Sequence, residues 1–174
     1  MALYRNGAFV AEDWTFPAED EPIPGSGAVA LPKARLLAEW PALASRNGPA
    51  GLVLASGEKV DGLEEILPRL ALVRMVIPRY SDGRLYSQAR LLRERHRFTG
   101  EIRAAGDILR DQIVFLARVG FDAFEIVHEG TIKALAEGRI VSVGHFYQPA
   151  AREVSEAQPG ARPWLRQRKA GTVL

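Results

Sequence analysis

Cysteine is absent from the 174-residue chain. The protein therefore has no thiolate of its own to ligate an iron–sulfur cluster, close a redox disulfide or attack as a sulfur nucleophile. Histidine is scarce, with only His96, His128 and His145, so zinc and haem find few ligands and no metal site is expected. Any redox chemistry must be carried by a bound organic cofactor or by a partner protein, and no intrinsic cofactor is evident. No stretch approaches the roughly 18 consecutive apolar residues that a membrane span needs. The opening residues 1–7 lack the basic-then-apolar pattern of a secretory signal, so a cytoplasmic location is expected. There is no phosphate-binding loop, no Gly-x-Gly-x-x-Gly following a strand and no nucleophile elbow. An independent NAD-binding enzyme is not supported.

What is present is ordinary globular material: 47% hydrophobic and 25% charged residues, with a net charge of +2. The length suits one domain with small appendages. Positive charge is unevenly placed. Ten arginines lie between Arg74 and Arg118 against five acids, Asp82, Glu94, Glu101, Asp107 and Asp111. The planar guanidinium fork suits bidentate binding of carboxylates, phosphates and sulfur oxyanions, although solvated helix faces also collect arginine.

The chain divides into three parts. Residues 1–27 read as a hairpin and linker: Asn6-Gly7 is a strong turn signal within residues 3–16, and a proline-containing acidic run fills 19–27. Residues 28–150 alternate strand and helix. Strands are expected at 28–31, 51–55, 72–77, 101–105, 122–127 and 139–143, the last extending as far as 147. Helices are expected from Pro32 to about Ser45 with a kink or break at Pro41, from Asp61 to Leu67, from Ser81 or Asp82 to about Arg97, from Asp107 to Gly120 and over 131–137. Residues 151–174 lose apolar periodicity and form a polar, basic arm around Trp164. The alternation predicts an α/β fold with a mainly parallel sheet of five to six strands covered by helices. An open three-layer sheet is the favoured arrangement, with a partial barrel-like curl as the alternative, the chain being short for a complete eight-fold barrel.

Ligands of parallel α/β proteins bind at the carboxyl ends of the strands. That edge should collect Ser56-Gly57-Glu58, residues 79–84, Gly106-Asp107 and His128-Glu129-Gly130. The candidate anion-binding residues are Asp82, Gly83, Arg84, Arg103, Gly106, Asp107 and Arg110. Arg103 lies inside a predicted strand, where a charge must find a partner. It forms either a buried strut with Asp82, Asp107 or Asp122, or an oxyanion pocket with Arg84. Asp82 and Asp107 read equally as helix N-caps. No catalytic residue is assigned. Arg90, Arg93, Arg97, Trp164 and Arg166 are candidate partner contacts, a tryptophan among arginines being a typical anchor. Nucleic acid binding is not expected, since Glu94 interrupts the basic helix and no recognised module is present.

Three blocks, residues 81–95, 98–112 and 120–125, follow one another in the order and spacing of a bacterial family, and Tyr147-Gln-Pro is similar to its closing strand. The chain resembles domain-of-unknown-function family nine-three-four over roughly 52–149, with Leu85 standing where the family often has glycine. The family's association with genes of sulfite and sulfate reduction implies a role in assimilatory sulfur metabolism, and its members are described as oxidoreductases. The resemblance supplies no catalytic residue. Three functions follow as expectations: an accessory protein docking on the sulfite reductase haemoprotein or its electron donor, an enzyme or cofactor carrier with an anionic ligand at the strand edge, and a sensor of a sulfur metabolite.

Overall fold

In the computed structural model, which describes residues 1–141, the chain opens with the predicted hairpin. Strands β1 (Ala2–Arg5) and β2 (Ala8–Val10) pair antiparallel, with Leu3 opposite Val10. Asn6 (φ 52°) and Gly7 (φ 81°) both adopt left-handed backbone, as a type I′ turn requires. Strand β3 (Trp14–Thr15) follows after residues 11–13. Then come β4 (Ala28–Pro32), α1 (Lys33–Ala44), β5 (Ala50–Leu54), β6 (Leu72–Ile77), α2 (Arg84–Glu94), β7 (Glu101–Gly106), α3 (Gln112–Arg118), β8 (Ala123–Ile126) and α4 (Glu129–Ala136).

All eight strands form one sheet in the order β2-β1-β8-β7-β6-β5-β4-β3. Strands β3 to β8 are parallel, each beside its predecessor in the chain. The sheet exceeds the five or six strands expected because the hairpin joins it, β1 adding antiparallel to β8 with Tyr4 opposite Phe124, and because β3 adds parallel to β4 at the other edge. Parallel strands laid down consecutively with right-handed crossovers carry all their helices on one face. The core agrees. Val73, Met75 and Ile77 of β6 and Ile102 and Ala104 of β7 join one cluster with Leu36 of α1, Leu92 of α2, Leu116 of α3 and Leu135 of α4. The favoured three-layer arrangement is thus replaced by a helix-clad curl.

The curl has a geometric cause. Eight flat strands would set the sheet's edges about 34 Å apart at about 4.8 Å per strand, yet Val10 and Trp14 on opposite edges are joined by a link that reaches no more than about 14 Å. The sheet must bend until those edges meet. Strand β2 runs antiparallel to β1, and β1 antiparallel to β8, so β2 and β3 point the same way. Residues 8–15 therefore act as a single closing strand that hydrogen-bonds to β1 by its first part and to β4 by its second.

Several local expectations are revised. Helix α1 is not broken at Pro41, which lies inside it. Residues 61–66 form turns leading into a short 3-10 helix, Leu67–Arg69, rather than the expected helix at 61–67. Gly83, not Ser81 or Asp82, occupies the N-cap of α2, and Asp111, not Asp107, that of α3. The stripe Leu85, Ala89, Leu92 is buried as its spacing predicts. Gly120, at φ 113°, follows the last turn of α3, and a Cβ there would meet Arg93. Residues 139–141 are not a strand; the remainder of that predicted strand and the arm at 151–174, with Trp164 and Arg166, lie outside the described residues. Among the described residues, no helix is long and apolar enough to cross a membrane.

Candidate functional site

At the carboxyl ends of β5, β6 and β7, three loops are tied into one rim. The carboxylate of Asp82, after β6, accepts hydrogen bonds from Arg84 Nε (2.9 Å) and Nη2 (2.8 Å), from the Arg84 backbone N–H (3.2 Å), and from the Ser56 hydroxyl after β5. Arg84 Nη2 also donates to Ser56 Oγ (2.7 Å). These bonds, led by that from Arg84 and followed by that from Ser56, hold the Asp82 carboxyl well below the usual carboxylate range. Gly57 makes the arrangement possible: its φ is 84°, and a Cβ there would lie 2.7 Å from Arg84 Nη1.

The loop after β6 is fastened to the loop after β7 in the same manner. Asp107 Oδ2 accepts the Tyr80 N–H (3.0 Å), while Gln112 Nε2 donates to the Tyr80 carbonyl (2.6 Å) and its Oε1 accepts the Leu109 N–H (3.1 Å). Gly106 (φ 112°) is indispensable here, since a Cβ would sit 2.3 Å from the Ile77 carbonyl oxygen. The structure thus brings Asp82, Gly83, Arg84, Gly106, Asp107 and Arg110 to one edge. Asp82 holds the loop after β5 and the first N–H of α2, Asp107 holds the loop after β6, and neither stands at a helix N-cap position. Asp82 is neutralised by its pair with Arg84, whose side chain is nevertheless 64% exposed, and Arg79 is exposed in the same loop. Tyr80 (56% exposed) and Val127 (52%), after β8, add apolar surface to the same end.

Arg103 is not part of this rim. Its side chain, wholly buried, lies on the concave face of the curl, in one register row with Arg74 of β6 and Arg5 of β1. Its partners are none of the three predicted aspartates. Arg103 Nη1 donates to both carboxylate oxygens of Glu12 (2.8 Å each), and Nε donates to Glu101 Oε1 (2.7 Å). Arg74 forms a two-bond pair with Glu125 (2.7 and 2.6 Å), and its guanidinium lies 4.7 Å from the Phe16 ring centroid. Arg5 completes the network on Glu101 (2.9 Å). Gly51 leaves room on the same face, since a Cβ there would strike Trp14 and Ala30. Removing one partner of such a buried pair costs about 3–5 kcal/mol, because the other charge is left bare.

The sequence signal for this network was available in Arg74 and Glu125, charges inside strands like Arg103. The signal for Glu12 and Arg5 was not, since their relevance depends on closure. Among the predicted partner contacts, Arg93 turns inward. It donates to the carbonyls of Gly120 (3.0 Å), Phe98 (2.6 Å) and Gly100 (2.9 Å) and to Asp122, locking the end of α2 onto the starts of β7 and β8. It is a structural strut. Arg90 pairs with Glu94 one turn on, and Arg97 is exposed at a left-handed position (φ 50°) just past α2. Among the described residues, no group of histidines and carboxylates is arranged to hold a metal ion.

Comparison with known proteins gives one family. The model described as "Bacterial protein of unknown function (DUF934)" matches residues 51–158, a span running from β5 past α4 and containing the whole rim. No curated protein matches the chain.

Proposed function

Since the chain belongs to this bacterial family of unknown function, we propose that it is an accessory protein of assimilatory sulfite reduction, docking by its carboxyl-end rim on an acidic surface of the sulfite reductase haemoprotein or of its electron donor. The observation that carries the reading is the state of charge at that rim. Asp82 is neutralised by its pair with Arg84 and Asp107 is engaged by the Tyr80 N–H of the loop after β6, while Arg79 and Tyr80, adjacent in the chain, are both exposed, as is the Arg84 side chain. An aromatic anchor among guanidiniums is the composition that dominates binding energy at interfaces. The lack of cysteine ligands is consistent with electrons passing through the partner.

The test is light scattering behind size exclusion of the protein mixed with its own organism's sulfite reductase haemoprotein, at low and high salt. A joint peak that weakens as salt rises is expected. Tyr80→Ala should weaken it roughly thirty-fold, the effect of a hot-spot loss of about 2 kcal/mol. Separate peaks at low salt reject the reading.

A second reading, an enzyme or carrier holding a sulfur oxyanion at the same rim, is favoured by Arg84 Nη1, which extends over Gly57 in an exposed side chain. Sulfite binding abolished by Arg84→Ala would support it. Binding unchanged by that substitution would reject it.

A further inference from the structure

At the break of the closing strand, the Glu12 carboxylate carries the hydrogen bonds that fasten it. Residues 11–13 belong to no strand ladder. Glu12 organises them itself, its Oε1 accepting the N–H groups of Asp13 (3.1 Å) and Trp14 (3.0 Å) while both oxygens take Arg103 Nη1. Glu12 is 31% exposed and Arg103 is 0% exposed. A guanidinium sealed on the concave face of the curl is thus one side chain away from water.

The fit between the two is incomplete. Glu12 occupies one nitrogen of the fork end-on, and Arg103 Nη2 is buried without a hydrogen-bond acceptor. Asp13 Oδ1 stands 3.7 Å from it, too far to accept. An oxyanion free of the chain could lie side-on and engage both nitrogens, the geometry guanidinium prefers. Charge accounting gives its valence. Arg5, Arg74 and Arg103 face Glu12, Asp13, Glu101 and Glu125. If Glu12 leaves, three cations face three carboxylates, so a monovalent anion restores the original balance.

We propose that Arg103 is a masked binding site for a small monovalent oxyanion, with Glu12 as its built-in substitute and residues 11–13 as the flap that exchanges with the ligand. The site lies within the concave face, away from the rim, and is independent of the docking function. Ligand binding there would be linked to release of the closing strand, because Glu12 cannot hold the flap while displaced.

Formate is the probe, with chloride at equal ionic strength as the control. In the wild-type protein, formate should speed hydrogen exchange of the Asp13 and Trp14 amides, whose acceptor is the displaced carboxylate. In Glu12→Ala, where the competitor is gone, formate should raise the melting temperature saturably, by roughly 3–6 °C at ten times its dissociation constant. The wild-type rise should be smaller, and adding Arg84→Ala should leave the effect intact. Glu12→Gln, which keeps side-chain volume, serves the same measurement if the alanine variant does not fold. A formate response no larger in the Glu12 variants than in the wild type overturns the proposal, as does a response abolished by Arg84→Ala, which would place the anion at the rim. Wild-type amide exchange at Asp13 and Trp14 that is indifferent to formate overturns the flap.

Discussion

Replacing Gly106 by alanine tests how the rim is built. Gly106 ends β7 opposite Ile77, at φ 112°, outside the backbone range that L residues favour. Holding alanine there costs about 1–3 kcal/mol of backbone strain. The new Cβ would also stand 2.3 Å from the Ile77 carbonyl oxygen. That oxygen accepts the Asp107 N–H at 3.0 Å. Separation by about 1 Å, enough to relieve the clash, forfeits this bond, worth about 1 kcal/mol net. The expected loss is about 2–4 kcal/mol, and its middle value of about 3 kcal/mol corresponds to a melting temperature lower by roughly 6–12 °C in a chain of this size. Urea unfolding followed by tryptophan fluorescence and by circular dichroism would measure it. Because Asp107 also holds the Tyr80 N–H, partner binding should weaken in the same variant at temperatures where it remains folded. A loss below about 1 kcal/mol would refute the reasoning, since it would mean that β6 and β7 part freely where the rim depends on their contact.

Two further outcomes follow from other parts of the structure. Arg93→Met should destabilise by about 3–5 kcal/mol, because three carbonyls and Asp122 lose a donor that is 5% exposed; partner affinity, compared among folded molecules at low temperature, should not change. Stability should also decline as pH falls below 4.5, the ordinary value of the Glu12 carboxyl. Burial alone would raise that value, but the hydrogen bond from Arg103, followed by that from the Trp14 N–H, outweighs it and leaves it lowered. A carboxyl lowered in the folded state binds fewer protons there than in the unfolded state. Its contribution is complete above the unfolded value and is lost as pH descends through the folded one. Unfolding free energies measured across this range should fall less steeply in Glu12→Gln than in the wild type, and equal slopes would remove Glu12 from the account.

Much of the fold was legible because its signals are local. Asn6-Gly7 allows a hairpin with little strain, the spacing of Leu85, Ala89 and Leu92 marks one helix face, and Gly120 ends α3 at a left-handed position. The carboxyl-edge rule placed Asp82, Arg84 and Asp107 together because parallel alternation fixes which loops share an end. Capping was misread because an aspartate before a helix can serve either the helix or a neighbouring loop. Asp107 serves Tyr80, 27 residues earlier in the chain. Arg93 was read as surface because helical periodicity does not say that the carbonyls of residues 98, 100 and 120 will converge beside it.

Sequence alone was enough for most of the strands and helices between residues 28 and 136, the parallel majority of the sheet, the shortage of redox ligands and the membership of a family. These properties depend on residues within a turn or a strand of one another, or on composition alone. Tertiary structure decided that the hairpin joins β8, that residues 8–15 close the curl, and that Arg103 answers to Glu12, 91 positions away. The physical reason is that a buried charge takes whatever opposite charge closure brings within hydrogen-bond reach. Which one that is depends on strand order and on a three-residue link too short to leave the sheet flat.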